Sequence, residues 1–544
     1  MKNSFPQRLK DTLNTHLRSH QGGPSGHLGP LWLALGTLLS LFAANGRWDV
    51  PLAAWLAPLF FLRFTRSRSP LIGVGGVWLA SMGTMLFFLY ESQLLNPLVA
   101  VVFLILSTIL AVPYLLDRLL TPRLRLVSGG LSILLFPLSR IACEYLTSFS
   151  PFGSLFSLAY TQYGNLPLLQ IIAVTGIYGV SFLMAWFASV GNWIWEQDFA
   201  WPGIRRITLL YSGLLALVLL GGSLRLAFFP PSAQTVRVAG ITVAPATRHQ
   251  ALRHFSAKPM TPADLTQVRS DLATMSNELL TRSRAEARAG ANIVVWPEVA
   301  TVTQLEDEAT LIARGQTLAR EARIYLEMAY GVFQYQAPFI KRLHDRAVLL
   351  DPEGKVAWTY EKAHPIPVLE AFAPGDGKVP VVGTASGRIA TVICFDADFP
   401  DLMRQGGSKG VDVMLVPSND WQGIDPLHTY DATFPAIENG YSLVWQDSNG
   451  LAMTVDYQGH VLAATDYFTT DQQTMIAFVP VKGVWTIYGL VGDLFAWLCI
   501  LGLLSLVGLV AFFSFQRSAH SSTLASDPSP VSIEERYEGE TGRR

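Results

Sequence analysis

Long apolar runs bracket a segment of ordinary globular composition, and this constrains the chain more than any other feature. A helix that crosses a bilayer takes about 20 mostly apolar residues. Runs of that kind lie at about 30–46, 48–62, 70–90, 95–116, 126–146, 167–190, 207–229 and 487–514. Between the last two sits 233–485, where charged residues return and strand-like and helix-like patterns alternate. The 544-residue chain is 50% hydrophobic and 15% charged, against about 25% charged in soluble domains. The deficit is local to the spans. About 250 residues can bury one sizeable core, so the middle segment reads as a single domain carried on a membrane.

Basic residues set the orientation. They cluster in the N-terminal arm (Lys2, Arg8, Lys10, Arg18), then in alternate connections: Arg63, Arg66 and Arg68; Arg118, Arg123 and Arg125; Arg205 and Arg206. The opposite connections carry only Arg47, and Arg517 follows the last span. The expected organisation is a cytoplasmic arm (1–29), a membrane domain of about seven spans (30–232), an extracytoplasmic domain (233–485), a C-terminal transmembrane helix (486–516) and a disordered cytoplasmic tail (517–544). Within this plan the uncharged aromatic connection 147–166 is either interfacial or a plain apolar linker. Arg140 and Glu144, four apart in one span, either pair with each other or meet a lipid headgroup.

A net charge of −1 gives no reason to expect nucleic acid. Of three cysteines, Cys143 and Cys499 lie in spans and Cys394 is alone in the middle domain, so no disulfide forms there. The ten histidines show no ligand spacing, and no metal or cofactor is expected.

In the middle domain, strand-like runs include Val236–Val243, Asn292–Trp296, Tyr325–Val332, Arg346–Leu350, Arg388–Ile393, Val411–Val416, Ser442–Gln446, Ala452–Val455 and Met475–Val479. Asp351-Pro-Glu-Gly354 makes a turn. Thr261-Pro262 caps a helix running toward Gly290. Mixed strands and helices predict an α/β layered fold.

Three reactive side chains end strand-like runs. Glu298 closes Ile293-Val-Val-Trp-Pro-Glu, where desolvation would suit a general base. Lys362 follows Val356-Ala-Trp-Thr-Tyr-Glu. Cys394 ends Arg388-Ile-Ala-Thr-Val-Ile, ahead of a helix expected near Pro400. Singly, each has an ordinary explanation: a capping carboxylate, a solvated edge lysine, an inert buried thiol.

Together, Trp296-Pro-Glu298, Tyr360-Glu-Lys362-Ala-His364 and Ile393-Cys394-Phe395-Asp396 resemble the nitrilase superfamily of carbon–nitrogen hydrolases. Val416-Pro-Ser-Asn-Asp-Trp421, Ala436-Ile-Glu-Asn-Gly440, Gln446-Asp-Ser-Asn-Gly450 and Asp456-Tyr-Gln-Gly459 extend the likeness. The preceding spans, with Arg140-x-x-x-Glu144, Phe152-Gly153, Leu158-Ala-Tyr-Thr-Gln162 and Gly176-Ile-Tyr-Gly-Val-Ser181, and the later Gly489-Leu-Val-Gly-Asp493, are similar to the apolipoprotein N-acyltransferases.

That resemblance implies an αββα sandwich outside the cytoplasm of a bacterial inner membrane. It implies catalytic Glu298, Lys362 and Cys394, a second functional glutamate at Glu370, and binding or supporting places for Phe395 and Asp396. It implies a phospholipid acyl donor and a diacylated apolipoprotein acceptor. The motifs also depart from the family. His364-Pro-Ile-Pro-Val-Leu-Glu370 stands for His-Leu-Val-Pro-Phe-Gly-Glu, Cys-Phe-Asp for Cys-Tyr-Glu, and Val243-Ala-Pro-Ala-Thr-Arg248 for a Gln-Gly-Asn motif. A membrane-tethered amidase, or an acyltransferase with another amine acceptor, is the alternative.

Overall fold

The computed structural model describes residues 27–231, 234–255, 260–336, 339–470 and 474–525. The expected N-terminal arm and most of the expected tail lie outside these residues.

Among the described residues, six helices are long and apolar enough to cross a membrane: Pro70–Glu91, Pro97–Arg125, Gly129–Thr147, Ile177–Glu196, Trp201–Phe228 and Leu494–Gln516. The first two expected spans are shorter helices of 13 residues (Gly29–Leu41) and 17 residues (Pro51–Ser67), the second at the lower end of the length that crosses a bilayer. They pack against each other and against Pro70–Glu91. The expected span 167–190 is broken: Leu166–Leu169 and Ile172–Thr175 precede Ile177–Glu196, and the chain turns at Gly176 with φ of 65°. The final helix runs to Ala525, beyond the end expected for it at 516.

Alternate connections meet at one end of the bundle. There Arg66 pairs with Asp117 at 2.7 Å and with Glu196 at 3.3 Å, Arg125 also pairs with Glu196, and Arg118 donates to Arg68 O at 2.9 Å. The other connections touch the α/β domain. Asn45 Nδ2 donates to Asp431 at 2.6 Å, Trp421 Nε1 donates to Ser92 O at 2.7 Å, and Arg47, the one exception to the charge alternation, donates to Gln422 O at 2.9 Å. The connection after Thr147 is neither a linker nor a free interfacial loop. It folds through the 3₁₀ turn Leu158–Gln162 and seals against the α/β domain, where Ser154 N donates to Asp398 O at 2.8 Å. Arg140 and Glu144 pair at 3.5 Å, and Ser157 and Ser181 also donate to Glu144.

The α/β domain holds thirteen described strands: β1 Thr235–Ile241, β2 Ile293–Val295, β3 Val302–Gln304, β4 Tyr325–Gln336, β5 Phe339–Leu350, β6 Val356–Glu361, β7 Val381–Thr384, β8 Gly387–Thr391, β9 Val413–Ser418, β10 Ser442–Asp447, β11 Leu451–Val455, β12 Val461–Asp466 and β13 Thr474–Pro480. One sheet runs β13-β1-β2-β4-β5-β6 with β3 beside β4; the other runs β12-β11-β10-β9-β8-β7. The two faces of the first sheet follow from side-chain alternation. Val238, Ile293 and Val295 point inward to meet Ile389, Val413 and Leu443 of the second sheet. Ala239, Val294 and Trp296 point outward onto the helix Pro262–Arg288, whose Val268, Leu272 and Leu279 cover them. Thr261 caps that helix with a full capping box. The helices Pro400–Ser408 and Thr433–Asn439 lie against the second sheet, completing the αββα sandwich. The turn at Asp351 closes with Asp351 N donating to Lys355 O at 2.9 Å, between β5 and β6.

Candidate active site

The site forms where strands stop. Glu298 sits three residues past β2, and its N–H donates to Ser418 O at the end of β9, at 3.2 Å. Trp296 anchors the same segment by donating to Ser283 Oγ at 2.9 Å. Lys362 follows β6 directly, its N–H donating to Asp345 O on β5 at 3.0 Å. Cys394 lies three residues past β8 and opens the 3₁₀ turn Cys394–Asp398 with φ of 49°, a left-handed conformation costly for a side chain with a Cβ. Strained backbone of this sort persists only where its surroundings over-determine it.

Asp396 supplies that determination. Its carboxylate accepts from Tyr360 Oη at 2.7 Å, from Ile393 N at 3.2 Å and from His364 N at 2.8 Å. It thus ties the cysteine turn to the end of the lysine strand. Phe395 faces a different environment, described below.

The three reactive side chains are buried: Lys362 is 0% exposed, Glu298 2% and Cys394 2%. Lys362 Nζ donates to Glu298 Oε1 at 2.6 Å and to Glu370 Oε1 at 2.9 Å. Glu370 Oε2 in turn accepts from Ile366 N at 2.8 Å, which holds its loop over the lysine. Burial works against the Lys362 ammonium, but the negative charge around it, Glu298 foremost, outweighs burial and holds the lysine charged. Burial and then the Glu298 charge raise the Glu370 carboxyl. The same two causes hold Asp345 well above the carboxylate range. Burial, then Glu298, also push the Cys394 thiol up, against the pull of Lys362 and His428. The resting site therefore pairs a neutral thiol with a carboxylate and an ammonium. Such a site needs a base to remove the thiol proton and already holds a cation for an oxyanion.

His428 has no counterpart in the sequence reading, which finds no pattern among the histidines. The fold brings a donor atom each from Cys394, Asp420 and His428 within 4.8 Å of one another. Both ring nitrogens already face carboxylates, Nδ1 at 2.7 Å from Asp420 and Nε2 at 2.9 Å from Asp398, so the arrangement is one of ion pairing.

Beside this polar cluster lies an apolar chamber of about 700 Å³, counting the part open to its surroundings. The membrane domain contributes Phe88, Leu94, Val99, Phe103 and Phe152; the α/β domain contributes Phe395, Leu369, Trp421 and Ile424. Neither domain alone would enclose it.

Comparison with known proteins agrees with this division. The family model for the apolipoprotein N-acyltransferase N-terminal domain matches residues 35–190, and that for carbon–nitrogen hydrolases matches 256–484. An apolipoprotein N-acyltransferase of Geobacter metallireducens is 27% identical over 421 residues, 72% of this chain and 76% of its own length. One from Brucella melitensis is 25% identical over 61% of this chain and 65% of its own. Among solved structures, an amidase from Nesterenkonia sp. aligns with 46% of this chain and 94% of its own, at 18% identity and a TM-score of 0.34.

Proposed function

We propose, for a chain that belongs to the apolipoprotein N-acyltransferase family within the carbon–nitrogen hydrolases, that it moves a fatty acyl chain from a membrane phospholipid to the α-amine of a diacylglyceryl-cysteine N-terminus. The observation that carries this reading is the joint construction of the site. The Glu–Lys–Cys cluster lies next to an apolar chamber, lined by Phe395 of the cysteine turn and His428, that is walled by both the α/β domain and the membrane helices. A soluble amide substrate has no use for that wall; an acyl chain does.

The reaction runs in two halves. Glu298 takes the Cys394 proton as sulfur attacks the ester carbonyl, and Lys362 donates to the oxyanion. The intermediate collapses with cleavage of the ester C–O bond. The lysophospholipid leaves with the proton from Glu298, and a thioester remains on Cys394. The amine then attacks the thioester, Glu298 accepts its proton, and the thiolate departs as the amide forms. Glu298 returns that proton to sulfur. Glu370 holds Lys362 through a second hydrogen bond, and Asp396 fixes the cysteine turn. Phe395 presents its ring to the chamber. The basic connections at the far end of the bundle support cytoplasmic termini and an extracytoplasmic α/β domain.

The altered sequence around Glu370 bears on the acceptor, because Ile366, Pro367 and Leu369 of that loop line the chamber. The full-length protein in phospholipid vesicles, given a diacylated lipopeptide, is expected to yield the triacylated amide. Release of free fatty acid without amide would instead show that water, and not the lipopeptide amine, resolves the thioester.

A further inference from the structure

Next to the cysteine turn stands an ionic assembly that the two half-reactions leave unused. His428, in the short helix Leu427–Asp431, is buried, and so are the two aspartates on either side of its ring. A neutral imidazole has one N–H and can satisfy one carboxylate; its other nitrogen would set a lone pair against the second. With oxygens at 2.7 Å and 2.9 Å on the two sides, an imidazolium donating to both satisfies the geometry. It also spares two buried carboxylates from standing unpaired. The ring is held independently by Trp445, edge-on with centroids 4.8 Å apart, and by Phe395 at 6.4 Å.

Sulfur and clamp belong to one rigid unit, since Cys394 and Asp398 are the first and last residues of the same 3₁₀ turn. Asp420 is fixed separately, its N–H donating to Asp447 Oδ1 at 3.2 Å.

We propose that His428 is a permanent imidazolium, clamped by Asp398 and Asp420, whose charge lowers the cost of placing negative charge on the Cys394 sulfur during attack. The inference rests on Cys394 being the nucleophile. It divides the labour between two cations: Lys362 serves the carbonyl oxygen and His428 the sulfur.

The surrounding groups agree. Burial disfavours the charged ring, but Asp420 and Asp398 outweigh it and keep His428 protonated. Asp431, on the same helix, and Asp447, behind Asp420, are both raised well above the carboxylate range, chiefly by burial, and stay neutral. The assembly is therefore one cation between two carboxylates, with the thiol beside it and the Glu298–Lys362 pair beyond.

His428→Gln keeps a neutral hydrogen-bond donor and removes the charge, leaving both carboxylates near the sulfur. In the full-length, detergent-solubilised protein, alkylation of Cys394 by iodoacetamide is followed against pH by peptide mass spectrometry. The midpoint is expected to rise by at least about one pH unit in H428Q, roughly tenfold less thiolate at a fixed pH. An unmoved midpoint in a folded H428Q protein overturns the proposal. A second measurement needs no variant: ¹⁵N-histidine NMR of the wild-type protein should show one ring protonated on both nitrogens at pH 8. If every ring has lost a proton by then, the proposal fails even should H428Q not fold. Acyl uptake at Cys394 with an unmoved midpoint sinks this inference and leaves the proposed function standing; a shifted midpoint without acyl uptake does the reverse.

Discussion

Lys362 is an ammonium out of contact with water, and the charges around it outnumber it. Glu298, Glu370 and Asp345 all bear on one cation, so the site can hold this many carboxyls only by keeping some neutral. Asp345 is the one best placed to stay protonated, because it is fully buried and faces the Glu298 charge. This has a consequence for stability. Asp345 ionises near pH 4 in the unfolded chain, but its folded carboxyl is raised well above that. Above about pH 4 the folded state therefore binds more protons than the unfolded one. The contribution is present in full below the unfolded value and is lost as pH rises toward the folded one. Asp345→Asn keeps the size of the side chain and removes the titration. Thermal melts should show the D345N midpoint exceeding that of wild type by a margin that grows from pH 5 to pH 8. A margin that stays flat or shrinks would mean that Asp345 is ionised in the fold. Asp345 and His428 were not legible in the sequence, whereas Glu298, Lys362 and Cys394 were. The latter three each close an apolar run and carry a local signature. His428 acquires its meaning from Asp398, 30 residues away, and Cys394, which only the fold brings beside it.

Among the elements, the turns between helices explain more than the helices do. Gly153 has φ of 54°, and a Cβ there would stand 2.3 Å from Asp398 O, the backbone of the cysteine turn. This residue of the membrane domain thus abuts the turn that carries Cys394. Gly153→Ala adds left-handed strain of about 1–2 kcal/mol and a clash with backbone that cannot yield cheaply. Acylation of Cys394 should fall at least about tenfold, the equivalent of roughly 1.4 kcal/mol in the barrier. Gly83→Ala, where a Cβ meets nothing within 4 Å, should leave it unchanged. Equal rates in the two variants would mean that the loop does not hold the turn. Gly176 plays a similar part elsewhere: a Cβ there would lie 2.6 Å from Tyr488 and 3.3 Å from Glu438, whose carboxylate accepts from Ile177 N at 2.7 Å. Two motifs noted separately in the sequence meet at that point, and Tyr488 immediately precedes a third. Long runs such as β4 and the helix Pro262–Arg288 were legible from pattern and capping. The strands β3, β7 and β12 were not: β3 has three residues, β7 four, and β12 is half-exposed with no clean alternation. The break at Gly176 hid inside a continuous apolar run because hydropathy does not register a backbone turn.

At the scale of the molecule, the two domains share one site across their junction. The two ends of the helix Pro70–Glu91 illustrate the geometry. Arg68, just before it, accepts from Arg118 in the basic cluster, while Ser92, just after it, touches Trp421 of the α/β domain. Twenty-two helical residues separate those ends by roughly 33 Å, about the thickness of a bilayer core. The basic connections and the α/β domain therefore lie at opposite ends of that helix. A reporter active only outside the cytoplasm should give signal when fused after residue 231 and none when fused after residue 204; the reverse pattern would invert the topology.

The central claim is that Cys394 carries the acyl chain between two lipid-anchored substrates, and mass spectrometry of the full-length protein incubated with phospholipid tests it most directly. The Cys394 peptide should gain the mass of one acyl chain and lose it when a diacylated lipopeptide is added. Lys362→Ala should slow the gain by about 10²–10³-fold, the cost of removing one oxyanion donor. Cys394→Ala should abolish it. An acyl adduct that persists on the Cys394→Ala protein, or a wild-type Cys394 peptide that never gains one, would contradict the account.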